Sequence, residues 1–491
     1  MNKVYLVGAG PGDPELISLK GRRVLEQADS ILYDNLANAA LLDFARPEAE
    51  RVYVGKKRSE HEHSQEEISA MLIERARRGW NVVRLKGGDP FIFGRGGEEA
   101  EALAAAGILF EVVPGVTTPL GIAAYTGVPL THRAHTSVVT FVTGHNVESI
   151  DWDKVGAAET LVLFMGLTNF PAIAREIVQR GRPKDTPAMA VRWATRPDQQ
   201  TLVGTLETLP DLICQAGLKP PATIVIGEVV RLREKLDWYE KLPLFGRRIV
   251  VTRAREQSEV LSASLRALGA DAVALPTIEI RPAPDYSALD AAISNLDDYD
   301  WLIFTSVNGV RFFMERLDRS RRDLRSLRAS ICAIGPATRA AVEALHLKVD
   351  LMGEEYVAEG LLKAFAAHNL AGKRILLPRA AVARDLAPAE LRARGARVNV
   401  VEAYRTVLPG DAAVRVERIF SARRPDWITF TSSSTVTNFV QAAGREALRG
   451  VKVASIGPVT TATARRLGLE VTVEAHEYTI NGLVQALIEH R

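Results

Sequence analysis

Short runs of β-branched residues alternate with alanine- and leucine-rich stretches along the whole chain. That alternation is the pattern of α/β domains built on mostly parallel sheets. In the first half it predicts strands at Val4 to Val7, Val82 to Leu85, Ser137 to Thr143 and Leu161 to Phe164. A charged segment, Val229 to Lys241, reads as helix and ends at Pro243, after which a fresh strand opens at Arg248 to Val251. That change of pattern sets the main domain boundary between residues 243 and 244. The basic block Arg319 to Arg328 reads as an exposed helix.

The second half repeats itself. Arg248-Ile-Val-Val-Thr-Arg253 returns as Arg374-Ile-Leu-Leu-Pro-Arg379, and Asp300-Trp-Leu-Ile-Phe-Thr-Ser306 as Asp426-Trp-Ile-Thr-Phe-Thr-Ser432, both 126 residues on. Ala333-Ile-Gly-Pro336 returns as Ser455-Ile-Gly-Pro458, and Glu359-Gly-Leu361 as Asn481-Gly-Leu483, at an offset of 122. A duplicated α/β unit most simply gives two similar lobes with a cleft between them, where small molecules commonly bind.

Composition narrows the class. With 491 residues, 47% of them apolar and 25% charged, the chain has enough apolar surface for two to four packed cores and is not disordered. Cys214 and Cys332 stand alone in unrelated segments, so they build neither a disulfide framework nor a zinc site, and a reducing compartment is expected. The start lacks a secretory pattern, and Gly107 to Thr131 is broken by Glu111 and three prolines, so a cytoplasmic enzyme is expected. Of the 62 Lys+Arg and 59 Asp+Glu, residues 1–243 hold 28 and 31 (net −3) and residues 244–491 hold 34 and 28 (net +6). The basic half suits an anionic small molecule or is simply a solvated surface, and no aromatic-interleaved basic stripe points to nucleic acid.

The first strand runs into Gly8-Ala-Gly10-Pro-Gly12-Asp13-Pro14, which is not a dinucleotide fingerprint. The third glycine of G-x-G-x-x-G falls at position 13, where an aspartate would oppose a pyrophosphate. What remains is close main-chain approach without a phosphate cradle, or a plain tight turn. A second cluster, Lys86-Gly-Gly-Asp-Pro-Phe-Ile-Phe-Gly-Arg-Gly-Gly97, and a third, Pro114-Gly-Val-Thr-Thr118, follow the next strands, at the edge where open α/β sheets bind ligands.

These three loops, with Tyr33-Asp-Asn-Leu36 and Thr131-His132-Arg133, resemble the tetrapyrrole (corrin/porphyrin) methyltransferase family over residues 2 to 235, most closely its uroporphyrinogen-III C-methyltransferase branch. The resemblance implies two α/β lobes, about 1–114 and 115–243, with S-adenosylmethionine between them and a homodimer formed through this half. It carries cofactor contacts onto Pro11, Gly87, Gly88, Asp89, Ile92, Thr117, Thr118, Met165 and Ala194. Asp89 either meets a ribose or an ammonium group or caps its own turn. Met165 reads as core on spacing alone. The implied base and acid are Asp34 and Lys56; Asp34 also fits a cap for Leu36 onward, and Lys56 a basic patch with Lys57 and Arg58.

The duplicated blocks, with Phe304-Thr-Ser306, Glu402-Ala-Tyr-Arg-Thr406, Phe430-Thr-Ser432 and Ile456-Gly-Pro-Val-Thr-Thr461, resemble the uroporphyrinogen-III synthase family over residues 245 to 491. The implied fold is two α/β lobes on a two-stranded hinge, one lobe about 245–278 plus 408–491 and the other about 279–407. The implied reaction closes hydroxymethylbilane to uroporphyrinogen III with loss of water. Thr305, Ser306, Thr431, Ser432 and Thr460 would bind substrate carboxylates or merely cap helices. Tyr404 would assist hydroxyl departure or lie in the core, and Lys452 aligns with a basic position. The whole chain is then expected to convert hydroxymethylbilane to uroporphyrinogen III and methylate it twice to precorrin-2, towards sirohaem or cobalamin, without a metal. The competing reading is an active methylase carrying a non-catalytic synthase-like module.

Overall fold

A computed structural model describes all residues except 1–2, 56–62, 354–357, 383–384 and 491. It falls into two compact units, Met1–Arg248 with Ser264–Asp271, and Ile249–Ala263 with Ala272–His490.

The amino-terminal unit holds two five-stranded sheets. The first comprises β1 (Val4–Gly8), β2 (Ser30–Tyr33), β3 (Glu50–Tyr53), β4 (Val82–Lys86) and β5 (Phe110–Val113), in the order β3-β2-β4-β1-β5. All four pairings are parallel. Helices α1 (Leu19–Glu26), α2 (Gln65–Arg77), α3 (Gly96–Ala105) and α4 (Thr118–Thr126) come from the same half of the unit. Apolar residues on both faces of β1 and β4, among them Val4, Leu6, Val7, Val83 and Leu85, are buried, as expected of a sheet covered on both sides. The second sheet comprises β6 (Val139–Thr143), β7 (Thr160–Phe164), β8 (Pro187–Arg192), β9 (Gln200–Thr205) and β10 (Ala222–Ile226), in the order β6-β7-β10-β8-β9. Only β6 and β7 pair in parallel; β10 runs antiparallel to β7 and β8, and β9 antiparallel to β8. The mostly parallel arrangement expected from the alternation fails here because β8 and β9 are joined directly, without a crossover helix.

The carboxy-terminal unit holds a five-stranded and a six-stranded sheet. The five strands are β11 (Arg248–Val251), β12 (Asp271–Ala274), β19 (Trp427–Phe430), β20 (Lys452–Ser455) and β21 (Val473–Glu474), in the order β12-β11-β19-β20-β21. The six are β13 (Glu279–Pro282), β14 (Trp301–Phe304), β15 (Ser330–Ala333), β16 (Leu351–Met352), β17 (Arg374–Ala380) and β18 (Arg397–Val407), in the order β13-β18-β17-β14-β15-β16. The repeated segments take matching places: Arg248 and Arg374 open β11 and β17, and Trp301 and Trp427 open β14 and β19. Each lobe is closed by its own apolar core, one around Phe313, Phe304 and Leu376 and another around Phe430, Phe439 and Ile428.

Three local expectations are corrected. Residues 137–138 do not extend β6, because the Glu159 carboxylate takes the Ser137 and Val138 amides at 2.6 and 3.2 Å. The Val229 to Lys241 segment forms a 3-10 stretch, Glu228–Leu232, and a single α turn, Arg233–Leu236, before an irregular aromatic run. The Arg319 to Arg328 block is not an α-helix: Ser320 Oγ accepts from Arg322 N at 2.9 Å in place of a helical carbonyl, and Asp323 caps only a short 3-10 turn, Leu324–Ser326, by accepting from Arg325 N at 2.9 Å. Among the described residues no helix is long and apolar enough to cross a membrane.

Candidate active sites

In the amino-terminal unit the loops leaving β1, β4 and β5 meet where side chains are excluded. A Cβ built on Gly8 would lie 2.5 Å from Gly115 N and 2.7 Å from Gly88 O; one on Gly115 would collide with Gly88 O and lie 2.7 Å from Gly8 Cα. Gly10 and Gly88 exchange main-chain hydrogen bonds of 3.2 and 2.8 Å, both with positive φ (78° and 66°). The three glycine clusters are therefore one surface of bare main chain.

Asp89 ties it together. Its Oδ1 accepts from Phe91 N at 2.8 Å, closing its own turn, and its Oδ2 accepts from Gly115 N at 3.0 Å. The carboxylate is thus a turn cap that also straps two loops, and each oxygen keeps a further lone pair. Thr117, 8% exposed, and Thr118 open α4 directly across from Gly88, whose Cβ would lie 3.5 Å from Thr118 Oγ1.

The second sheet supplies the opposite wall. A Cβ on Gly12 would lie 2.7 Å from Ala194 O, which places the buried Ala194 main chain against the first loop. Asp13 N donates to Thr195 Oγ1 at 2.8 Å, and Tyr125 Oη donates to Asp13 Oδ2 at 2.7 Å. Burial, and then Asp13, pushes the Tyr125 phenol far above its ordinary range, so it stays a donor. Pro11 packs on α4, filling the place a Cβ on Gly121 would need. Phe93, in the second glycine loop, packs on Phe164 with ring centroids 4.8 Å apart, beside Met165.

Met165 is not core. It is 54% exposed and holds φ of 52°, and it shares the left-handed region with Phe93, Arg95, Trp193 and Thr195. Among the described residues, five of the six such non-glycine residues follow β4, β7 and β8 of this unit; the sixth is His346 in the other unit. Strain of this kind costs of order 1–3 kcal/mol per residue and persists where the surroundings impose it, typically at ligand sites. Ile92, 38% exposed, stands with Phe91 and Phe93 on the same open rim.

Asp34 follows β2. Its Oδ1 accepts from Leu36 N at 3.0 Å and its Oδ2 from Arg84 Nη2 at 3.0 Å. The amide contact is an Asx-type turn, since no helix starts at Leu36. Arg84 was not anticipated from the sequence, nor were its neighbours: Glu99 is fully buried, and its Oε1 accepts from Arg84 Nε, Lys86 Nζ and Gln65 Nε2 at 3.1, 2.9 and 3.0 Å. Lys56 lies outside the described residues.

In the carboxy-terminal unit the expected hydroxyls sit at helix starts. Ser306 caps the helix Val307–Asp318, its Oγ accepting from Gly309 N at 2.9 Å, and Ser432 caps Ser433–Ala443, accepting from Thr435 N at 3.3 Å. Thr305 and Thr431 precede them, both half-buried. Thr460, 4% exposed, sits in the first turn of the helix Pro458–Arg466. Capping is what the hydroxyls of Ser306 and Ser432 do here, while the half-positive helix starts remain open to anions.

Tyr404 is 7% exposed, stacks on Phe312 at 5.7 Å and shares a 2.9 Å hydrogen bond with Ser306 Oγ. The register of β17 on β18 skips Ala403 between Arg379 and Ala380, a bulge that turns Tyr404 toward Ser306. Burial raises its phenol above the ordinary range, which the Ser306 contact partly offsets. Lys452 is not brought to these groups. It opens β20, three residues or roughly 10 Å of strand from the end that leads to the helix starts. Its ammonium lies 5.1 Å over the Trp427 ring. Among the described residues no group of three or more His, Cys, Asp or Glu forms a metal site.

The family description "Tetrapyrrole (Corrin/Porphyrin) Methylases" matches residues 3–210, and "Uroporphyrinogen-III synthase HemD" matches residues 259–485. The porphyrin biosynthesis protein HemD of Ruminiclostridium josui is 36% identical over 492 residues, covering 99% of this chain and 97% of that protein. The chain belongs to this family. It is a two-part tetrapyrrole-biosynthesis enzyme, a methylase followed by a synthase. Siroheme synthase of Methylococcus capsulatus is 52% identical over 241 residues, 48% of this chain and 51% of that protein, so the chain spans about half the length of such relatives. Among solved structures, a Thermus thermophilus uroporphyrin-III C-methyl transferase complexed with S-adenyl homocysteine is 42% identical, with a TM-score of 0.42, over 47% of this chain and 100% of that one. A Thermus thermophilus uroporphyrinogen III synthase is 23% identical, with a TM-score of 0.30, over 50% and 98%.

In the methylase part, Arg84 and Lys86 occupy alternate positions of β4, buried on one face of a central strand. Charges so placed require a buried partner. For the synthase part, the bulge beneath Tyr404 has no signature in residue type.

Proposed function

We propose that the methylase part transfers two methyl groups from S-adenosylmethionine to uroporphyrinogen III, giving precorrin-2, and that the synthase part makes that substrate from hydroxymethylbilane. The methylase relatives support the sirohaem route. The observation that carries the reading is the bare main-chain surface of Gly8, Gly88 and Gly115, with the Ala194 main chain set against Gly12 of the same first loop. Such a surface suits an uncharged or cationic group and offers no phosphate cradle. The donor supplies a methyl group activated on a sulfonium.

The chain's own residues do the rest. Gly87, Gly88 and Ala194 present main-chain groups, and Asp89 and Thr117-Thr118 add polar contacts. Pro11, Ile92 and Met165 pack against apolar parts and keep water out. Methyl transfer is an in-line displacement in which alignment and exclusion of water carry most of the rate. Asp34 accepts the proton that the methylated ring system loses, and Lys56 is the proposed acid. In the synthase part, the pyrroles of the substrate expel the hydroxyl, while Thr305, Ser306, Thr431, Ser432 and Thr460 engage the carboxylates at helix starts. Tyr404 reaches that process through its contact with Ser306; Lys452 fits the reading poorly, because it stands at the other end of its strand. We place the division at 243/244, with lobes 1–114, 115–243, 279–407, and 245–278 with 408–491. The active form is a cytoplasmic homodimer assembled through the methylase part.

The burial of the Tyr404 hydroxyl favours a second reading, an active methylase with a non-catalytic synthase-like module. Supplying uroporphyrinogen III with S-adenosylmethionine in one assay and hydroxymethylbilane alone in another separates them. The proposal expects methylated product in the first and the type III isomer in the second. A first assay without methylation overturns the methylase assignment, and a second without type III product leaves the alternative.

A further inference from the structure

We propose that Arg84 is a positioning residue of the methyl-transfer site, locking the Asp34 carboxylate in register with the glycine cradle from a buried anchor formed by Glu99 and Lys86, with half-buried Gln65 at its edge. It rests on the reading of Asp34 as the base. The guanidinium is fixed on three sides. Its Nε donates to Glu99 Oε1 at 3.1 Å, its Nη1 to the main-chain oxygens of Leu85 and Leu32 at 3.0 and 3.4 Å, and its Nη2 to Asp34 Oδ2 at 3.0 Å. The Arg84, Lys86 and Glu99 side chains are 5%, 5% and 0% exposed, whereas that of Asp34 is 19% exposed. Of these four charged groups, Asp34 is the one that reaches the surface.

A buried ion pair alone is a poor reason for such a cluster, since desolvating the charges offsets most of their attraction. Burial, and then the charge of Arg84, depresses the Lys86 ammonium, with Glu99 opposing both, so the cluster is under electrostatic load. What the load achieves is geometric. A planar fork bridges two carboxylates in fixed directions, which an ammonium cannot do. Asp34 Oδ1 is held by Leu36 N, and Leu36 packs on Gly87, where an added Cβ would lie 2.6 Å from Leu36 Cβ. From Glu99 through Arg84, Asp34 and Leu36, the anchor is continuous with the loop that begins at Gly87.

The test compares wild type, Arg84→Lys, Asp34→Asn and the double variant in methyl transfer to uroporphyrinogen III, with S-adenosylhomocysteine affinity measured on each. Arg84→Lys keeps the charge and loses the fork. It is expected to lower kcat by about 10- to 100-fold, the cost of a misplaced group, with S-adenosylhomocysteine affinity within about threefold of wild type. In the Asp34→Asn background it should cost nothing further. Wild-type kcat in Arg84→Lys, an equal fractional loss in both backgrounds, or a loss of S-adenosylhomocysteine binding in step with kcat would each overturn the proposal. Wild-type turnover in Asp34→Asn would instead remove the base assignment, and the proposal with it.

Discussion

The two parts of the chain prepare small-molecule sites by opposite means. The methylase part uses absence: glycines whose missing Cβ atoms let three loops touch, with five non-glycine residues held in the left-handed region around them. The synthase part uses repetition: paired lobes in which a serine two residues past a strand caps the next helix. The first is rigid and intolerant of an added methyl group; the second is built from caps that many residues can replace. This difference explains why motifs are dense in one half and sparse in the other.

The largest expected effect breaks that comparison directly. Gly115→Ala forces a Cβ into Gly88 and Gly8 main chain and should abolish S-adenosylhomocysteine binding, with methyl transfer down at least about 100-fold. Gly309→Ala, whose Cβ would meet Pro378 O at 3.1 Å and Ser306 Oγ at 3.3 Å, should cost about 1 kcal/mol in denaturant unfolding and leave cyclisation measurable. Equal damage from both would erase the contrast. Next, Asp34→Ala should lower methyl-transfer turnover about 100-fold or more while leaving S-adenosylhomocysteine affinity near wild type; isothermal titration alongside steady-state kinetics checks this.

A smaller effect is expected in the synthase part. Tyr404→Phe removes the Ser306 hydrogen bond, worth about 1 kcal/mol, and should slow type III closure about tenfold. Lys452→Ala should leave closure unchanged. Wild-type closure in Tyr404→Phe would return the tyrosine to the core, and a defect in Lys452→Ala would show that the far end of β20 matters.

The smallest effect is common to both parts. Arg75, with Ser30, holds Glu50 below the usual carboxylate range against burial, and Lys373, with the Arg374 amide, does the same for Asp300. A depressed folded value stabilises above the unfolded carboxylate value and is lost as pH falls through the folded one. Glu50→Gln and Asp300→Asn should therefore lower Tm slightly at neutral pH and not at strongly acid pH, by differential scanning calorimetry. A constant difference across pH would mean packing, not ionisation, is responsible.

The strand-helix alternation, the duplication and the three glycine loops were legible because they depend on residue type along the chain. The antiparallel half of the second sheet was not, since strand direction follows from the connection between β8 and β9 rather than from the strands themselves. Met165 looked like core because spacing cannot reveal a left-handed φ that turns a large side chain outward. For Asp34 and Asp89 the capping role was legible from the neighbouring residues, but their partners across the fold, Arg84 and the Gly115 amide, were not. The Arg84, Lys86 and Glu99 cluster was hidden because its partners lie on different elements, and a lysine or arginine in a strand ordinarily marks a solvent face.

One chain that closes a linear tetrapyrrole and then methylates the ring it has made should do both in a single incubation. The direct measurement gives the intact protein hydroxymethylbilane and isotopically labelled S-adenosylmethionine, and follows label into macrocycle by mass spectrometry. Two labelled methyl groups are expected on a type III ring, and none when the donor is withheld. A ring that stays unmethylated with the donor present, or a linear substrate that never closes to the type III isomer, contradicts that expectation.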